Sequence, residues 1–322
     1  MKKLKSIGII IAIISMYVSV YIYWNQTKTN EARTPVSSGI VKETTVIKEL
    51  NMAITNLDTL DPIKTNNKTV QDISKLIYDP LFTVNEENKL ENDLIDEYAQ
   101  LTDTQYLFRL KDNIYWHNGD KLASQDIKYT IEYIQKNDSN IYKKNVENIQ
   151  SVKIIDELTF KINILEKDPD FKYNLIFPII NKQENIGTGM FKIQNINKDK
   201  ITLVQNPQYT QTTPVLEKIN INLYDDVSKV YNDFKAGKID VINVGNEDYL
   251  DLVGDFGYNK TEYESADAEK YNEILKMYDE NASTINSYFT KRILIYSKYL
   301  YGEIAPNWYD SLYNIKTWRK IL

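Results

Sequence analysis

The sequence predicts a mixed α/β (α+β) fold, and three features of its apolar residues indicate this. Two pairs of alternating segments predict β-hairpins, and separate stretches with apolar residues at helical spacing predict amphipathic helices. Residues 218–244 combine both signals, because an alternating strand, a helix and a short buried strand follow one another there. With 322 residues, 42% of them hydrophobic, the chain can form one large domain or two ordinary ones.

The first elements of the predicted fold alternate between extended and helical patterns. Thr45–Leu50 alternates weakly as a strand, and the Asp and Pro content of Ile54–Pro62 predicts a loop. Apolar residues from Val70 to Ile77 fall at helical spacing, and Pro80 ends that element. Residues 81–90 then predict a strand followed by a polar turn.

The next elements surround a turn that contains the single histidine. Residues 105–110 and 114–116 predict short strands before a turn at residues 117–120. Ser124 is a candidate N-cap for the following helix, and Asp126 suits the positive first turn of that helix. The predicted buried face of this helix contains Ile127, Ile131 and Ile134.

The remaining elements carry the strongest patterns. Residues 158–164 alternate strictly between apolar and polar side chains, which predicts the first hairpin, and a second hairpin is predicted to turn at residues 197–199. Gly237 is expected to end the helix within residues 218–244. The predicted elements are hairpins at 151–164 and 190–206, a helix along 227–234, a buried strand at 239–244, a helix along 271–278 and a strand at 287–296.

The composition excludes several classes of site. The chain has no cysteine and one histidine, so disulfides, thiol nucleophiles, thiolate metal sites and multi-histidine metal sites are excluded. Its formal net charge of −6 argues against a broad nucleic-acid surface, which needs clustered Lys and Arg. The sequence therefore predicts no cofactor, no metal and no nucleic-acid partner.

Catalytic motifs are weak. His117 lies in a Gly-containing turn without a nucleophile marked beside it, so it is expected to be a surface or turn-packing residue rather than a base. The Gly-Thr-Gly segment at 187–189 does not match a phosphate-binding Gly-rich motif and is expected to be a turn. We therefore expect a protein that is not an enzyme.

The N-terminus predicts attachment to a membrane. Residues 1–5 hold three lysines, and the uncharged stretch of residues 6–24 that follows is long enough to span a bilayer. We predict a transmembrane anchor here, and a cleaved signal peptide is the alternative. Residues 25–42 are polar and predict a flexible linker. The folded part is then expected outside the cytoplasm, tethered to the cell membrane.

Three motifs occur in a characteristic order. Trp116–Asp120 form a turn that Ser124–Asp126 and a helix follow, Asn206–Tyr209 read N-P-x-Y, and Gly237–Val241 read G-x-I-D-V. In this order and context they resemble the family 5 extracellular solute-binding proteins, which serve oligopeptide, dipeptide and nickel ABC importers. The resemblance covers residues 45–263 and resumes in the C-terminal segment. Members of that family are markedly longer than this chain.

The resemblance implies a periplasmic-binding-protein-like class II fold whose second lobe is largely absent. Residues 43–66, 165–262 and 281–322 would form the first lobe, with 67–164 as an inserted subdomain. Residues 263–280 would be the remnant of the junction to the second lobe.

The resemblance also implies a function. The protein would bind a solute, most simply a peptide, outside the cytoplasm and deliver it to the membrane subunits of an ABC importer. The expected ligand contacts are Thr55, Asn56, Leu57 and Tyr142. Loss of a lobe would expose the cleft, so two alternatives stay open. The chain could be a membrane-anchored surface module for protein interaction without an import role, or an internally deleted remnant without function.

Overall fold

The structure is a computed structural model that describes residues 45–244, 258–279 and 289–322. The predicted N-terminal region, membrane segment and linker, residues 1–42, lie outside the described residues. Within the described ranges, no helix combines the length and the apolar character that a membrane crossing requires.

The described part contains strands and helices in mixed order. The strands are β1 (Val46–Ile47), β2 (Glu49–Thr55), β3 (Phe82–Val84), β4 (Leu90–Asn92), β5 (Ile95–Thr102), β6 (Gln105–Leu110), β7 (Ile149–Ile154), β8 (Thr159–Ile164), β9 (Phe191–Ile196), β10 (Lys200–Gln205), β11 (Lys218–Tyr224), β12 (Val241–Val244), β13 (Tyr258–Ser265), β14 (Thr290–Ser297), β15 (Leu300–Tyr301) and β16 (Arg319–Ile321). The helices are α1 (Lys68–Ser74), α2 (Ser124–Lys136), α3 (Lys143–Val146), α4 (Val227–Lys235) and α5 (Tyr271–Asp279).

A seven-stranded sheet in the order β13-β14-β12-β2-β11-β10-β9 forms the centre of the fold. Strand β2 runs parallel to both β11 and β12, and the other pairs are antiparallel. Helix α4 connects β11 to β12, which confirms the strand-helix-strand prediction. It buries Val230, Tyr231 and Phe234 against the sheet, and Gly237 follows it with a φ of +71°.

A second, antiparallel sheet in the order β5-β6-β8-β7 carries helix α2. Helix α2 buries Ile127, Ile131 and Ile134, as its spacing predicts. The predicted hairpins are also confirmed, since β7 pairs with β8 and β9 pairs with β10. Strand β5 was not predicted. Seven of its eight residues are exposed, so it has no apolar alternation to reveal it.

Three local predictions need correction. Ala123, not Ser124, occupies the N-cap position of α2, and the Asp126 carboxylate accepts the Ala123 N–H at 3.0 Å. Residues 114–116 do not form a strand, and Tyr115 makes only an isolated bridge to Lys121. Strand β2 runs as far as Thr55, so the predicted loop begins at Asn56 rather than Ile54. Buried alternation at Met52 and Ile54 extends the strand into the polar segment.

The described C-terminal residues contribute to the seven-stranded sheet and to a separate three-stranded sheet, β1-β16-β15. Strands β13 and β14 extend the seven-stranded sheet, and β16 pairs with both β1 and β15. Ala266 is buried and donates its N–H to the carbonyl of Trp308 at 3.2 Å. Tyr271, Ile274 and Leu275 of α5 enter the main core. The C-terminal residues therefore contact both the predicted first lobe and the predicted inserted subdomain, since Tyr271 also accepts a hydrogen bond from Lys68. The boundaries of the lobe and subdomain stay predictions.

The Gly-Thr-Gly segment is a turn that lies on the residues after α1. Gly189 donates its N–H to the Ile77 carbonyl at 2.9 Å, and Thr188 Oγ1 donates to Asp79 Oδ2 at 2.9 Å. His117 Nδ1 accepts the Gly187 N–H at 3.2 Å, and its Nε2 lies 3.1 Å from the Gly189 carbonyl oxygen. These contacts require a neutral ring with the proton on Nε2. His117 thus packs the turn, as predicted.

This geometry predicts an unusual titration of His117. Burial lowers the pKa of His117 to about 4, although the hydrogen bond to the Gly189 carbonyl favours the charged ring. Because the chain has a single histidine, its Cε1 proton gives one unambiguous NMR resonance. We expect that resonance to titrate near pH 4 in the folded protein. A midpoint near 6.5 would contradict the packed turn.

The same shift gives His117 a pH-dependent effect on stability. The neutral ring stabilises the fold fully above the unfolded pKa, about 6.5, and this contribution is lost as the pH falls towards 4. His117→Gln does not titrate in this range. The free energy of unfolding of the wild type, relative to this variant, should therefore fall by up to about 3 kcal/mol between pH 6.5 and 4.

Candidate functional site

A pocket of about 270 Å³ lies at the carboxyl ends of the parallel strands β2 and β12. Crevices at this edge of a parallel sheet are common ligand sites in α/β folds. Its walls come from β2 and the following loop, the start of α1, helix α4, strand β12 and strand β14. The lining residues are Ala53, Thr55, Asn56, Asn67, Lys68, Thr69, Val227, Val230, Tyr231, Ile242, Asn243 and Arg292.

Asn67 fixes one rim of this pocket. Its Nδ2 donates to the carbonyls of Thr55 at 2.9 Å and Asn56 at 3.1 Å. Its Oδ1 caps α1 by accepting the Thr69 N–H at 3.0 Å. Asn56 has a φ of 55°, a left-handed conformation that asparagine tolerates better than most residues. The loop after β2 is therefore held in place before any ligand arrives.

Two cations, Lys68 and Arg292, lie among the polar residues of the pocket. Lys68 Nζ lies 2.9 Å from Asp72 Oδ1 and donates to the Tyr271 hydroxyl at 2.6 Å. Arg292 Nε donates to Asn243 Oδ1 at 3.2 Å, and the Tyr263 hydroxyl donates to the same oxygen at 2.9 Å. The described residues that line the pocket include no carboxylate.

The predicted contact residues do not all lie together. Thr55 and Asn56 line the pocket, whereas Leu57 is half-buried and packs against the main core. Tyr142 is 6% exposed and lines a separate cavity of about 20 Å³, with its ring centroid 6.2 Å from that of Phe177. The structure thus unites two of the four residues.

Several pocket residues were missed by reading the sequence. Asn67 and Lys68 come from the start of α1, and Asn243 and Arg292 come from strands β12 and β14. The predicted strand-helix-strand unit offered one signal, because residues at the carboxyl ends of its strands share one edge of the sheet. Asn243 could have been found in this way.

A second cavity of about 320 Å³ contains the buried carboxylates Asp79 and Asp93. Burial raises the pKa of Asp79 well above its usual range and that of Asp93 to about 6. Asp79 accepts from Thr188, and Asp93 accepts from Gln211 at 2.7 Å. Within the described residues, no group of three His, Cys, Asp or Glu side chains could hold a metal ion. These carboxylates already have internal partners, so the first pocket is the better candidate.

Comparison with known proteins agrees with the motif order. The family described as bacterial extracellular solute-binding proteins, family 5 Middle, matches residues 89–285, which is more than half of the chain. This chain belongs to the family 5 solute-binding proteins.

Curated members of family 5 show partial similarity. The chain is 28% identical over 174 residues to the nickel-binding protein NikA of Staphylococcus aureus. It is 23% identical over 191 residues to the glutathione-binding protein GsiB of Salmonella paratyphi A. These matches cover 50% and 53% of this chain but only 35% and 37% of the relatives. The matched region therefore spans less than half the length of these curated relatives.

Solved structures share the family 5 fold. NikZ from Campylobacter jejuni, in complex with Ni(L-His), aligns with a TM-score of 0.59 and 22% identity, over 68% of this chain and 48% of that one. AppA from Bacillus subtilis, in complex with a nonapeptide, aligns with a TM-score of 0.58 and 18% identity, over 69% of this chain and 49% of that one. The predicted class II, periplasmic-binding-protein-like architecture is confirmed, in a chain that spans about half of such a protein. Its relatives are binding proteins.

Proposed function

We propose that this protein is an extracytoplasmic receptor that binds a peptide and delivers it to the membrane subunits of an ABC importer. The N-terminal segment would tether the receptor to the cell membrane. The pocket at the carboxyl ends of β2 and β12 carries the proposal, because it combines apolar walls with a few polar groups. Binding alone is required, and no catalytic step is proposed.

The size and chemistry of the pocket support a short ligand segment. Its volume of about 270 Å³ is near the lower end of ligand pockets, which hold about 300–1,000 Å³. Val227, Val230 and Ile242 provide apolar surface, while Asn56 and Thr55 supply polar groups beside it. This combination suits one or two residues of a peptide. The remaining residues would lie in solvent or against a surface outside the described part.

The relatives include binders of both kinds of ligand, and NikZ is in complex with Ni(L-His). GsiB is named for glutathione and the AppA structure contains a nonapeptide, whereas NikA is named for nickel. A nickel site would suit imidazole ligands, and this chain has one histidine, which packs the Gly-Thr-Gly turn. We therefore propose a peptide.

Isothermal titration of the full chain with a random tripeptide library tests this function. Asn56→Gly removes the side chain at the rim while keeping the left-handed backbone, and we expect it to weaken binding about three- to tenfold. The matched control is Asn185→Gly, since Asn185 has a φ of 63° but does not line the pocket. The control should bind as the wild type does. Absence of binding at millimolar peptide, or equal losses in both variants, would contradict the proposal.

A second candidate function follows from the partial coverage of the relatives. The chain spans about half of the solved solute-binding proteins that it matches, and a pocket that no second domain closes over would present its surface to another protein. That surface could serve as a membrane-anchored protein-interaction module without an import role. Recovery of a stable protein partner from membranes, without importer subunits and without peptide binding, would favour this function over the receptor.

A further inference from the structure

The pocket has an uneven distribution of charge. Lys68 and Arg292 contribute two cations, and the described lining residues contribute no carboxylate. The two cations differ in their surroundings. Lys68 already has an internal counter-ion, Asp72, at 2.9 Å, and it donates to the Tyr271 hydroxyl at 2.6 Å. It therefore offers little uncompensated charge to a ligand.

Arg292 is the pocket cation that has no counter-ion within the part of the chain that the structure describes. Among the described residues, no carboxylate oxygen lies within 4.0 Å of its guanidinium nitrogens. Its Nε–H is held by Asn243 Oδ1 at 3.2 Å, and that bond orients the guanidinium at the pocket wall. Guanidinium has five N–H donors in a fixed planar fork. The four donors on the terminal nitrogens make no hydrogen bond within the described part of the chain.

Asn243 is a second residue of the pocket with a donor that lacks an acceptor among the described residues. Its Oδ1 accepts from both Arg292 and the Tyr263 hydroxyl. Its Nδ2 is buried and has no hydrogen-bond partner among the described residues. A buried donor without a partner is destabilising, and native proteins usually satisfy such groups. Amide and guanidinium donors that have no partner in residues 45–244, 258–279 and 289–322 thus line the same pocket.

We infer that the pocket recognises the terminal carboxylate of a short peptide and that Arg292 binds it. A carboxylate accepts hydrogen bonds without donating any, and the guanidinium fork matches its two oxygens. Asn243 holds Arg292 through Nε and leaves the terminal nitrogens for the ligand. This inference rests on the proposed function and specifies which end of the peptide enters the pocket.

The test compares one tripeptide library in two chemical forms, with free carboxyl termini and with amidated termini. In titrations of the full chain, the wild type should bind the free acids about 10- to 100-fold more tightly than the amides. Arg292→Gln should lose most of that preference, and Arg292→Lys should keep part of it because the charge remains. Lys291→Gln is the matched control, since Lys291 is exposed and does not line the pocket.

The outcomes separate the two proposals. Equal affinity of the wild type for both libraries overturns the carboxylate inference and leaves the peptide receptor standing. If Arg292→Gln keeps the preference for free carboxyl termini, or if Lys291→Gln loses it to the same extent, Arg292 does not bind the carboxylate. Failure to bind either library contradicts the proposed function itself. A cooperative thermal transition in each variant shows that a lost preference does not reflect unfolding.

Discussion

Replacement of Asp72 by alanine is expected to lower the free energy of unfolding by about 3–5 kcal/mol, the usual effect of breaking a buried ion pair. Asp72 is 0% exposed. Its Oδ1 lies 2.9 Å from Lys68 Nζ and 3.6 Å from Lys75 Nζ, and its Oδ2 accepts from Ser311 Oγ at 2.5 Å. Loss of the carboxylate would leave two lysines close together in a poorly solvated site.

The pKa values support this direction. Burial opposes ionisation of Asp72, yet the charges of Lys68 and Lys75 outweigh it and hold the Asp72 pKa below its usual range. Burial, together with repulsion by Lys68, lowers the pKa of Lys75 to about 8. Because the folded pKa of Asp72 is depressed, its stabilising effect is present above the unfolded pKa of about 3.9 and is lost at lower pH.

Urea denaturation at pH 7 measures the effect. Asp103→Ala is the matched control, because Asp103 pairs with Lys167 at 3.1 Å but its side chain is 70% exposed. An exposed pair of this kind contributes about 0–1 kcal/mol. Comparable losses in Asp72→Ala and Asp103→Ala would show that the Asp72 cluster is not a buried ion network.

The sequence predicted the elements whose apolar residues repeat locally. Hairpins β7-β8 and β9-β10 and the unit β11-α4-β12 alternate or repeat within a few residues, so their patterns are readable without tertiary information. Strand β5 is held by pairing with β6 and is exposed along nearly its whole length, and this kind of strand leaves no pattern. A local apolar pattern arises where side chains are buried, and seven of the eight side chains of β5 are exposed.

The candidate site was harder to predict than the fold. Thr55 and Asn56 were found through a loop that resembles the family. Asn243 and Arg292 are 49 residues apart in sequence and meet because β12 pairs antiparallel with β14. The partner of a strand and its register are set by the whole sheet rather than by either segment. The contact between Asn243 and Arg292 depends on this register, so the pattern of nearby residues in the sequence does not predict it.

Replacement of Gly187 by alanine is the second change expected to have a large effect, about 3 kcal/mol of destabilisation, the upper end of the usual cost of overpacking. A Cβ at this position would lie 1.8 Å from the Ile77 carbonyl oxygen and 2.7 Å from its carbonyl carbon. Both are backbone atoms, so no side-chain rotation relieves the overlap. The turn would have to separate from the residues after α1 and weaken the Gly189 hydrogen bond to Ile77.

Gly237→Ala is the control that distinguishes the cost of steric overlap from the cost of a left-handed backbone conformation. Gly237 has a φ of +71° with nothing within 4 Å of an added Cβ, so alanine there costs about 1–2 kcal/mol for the left-handed conformation alone. Gly187→Ala should also release His117, because its Nδ1 accepts the Gly187 N–H. The NMR titration of His117 should then move from about 4 towards 6.5 in this variant but not in Gly237→Ala. Equal stability losses with an unchanged His117 titration would show that the turn does not lie against the residues after α1.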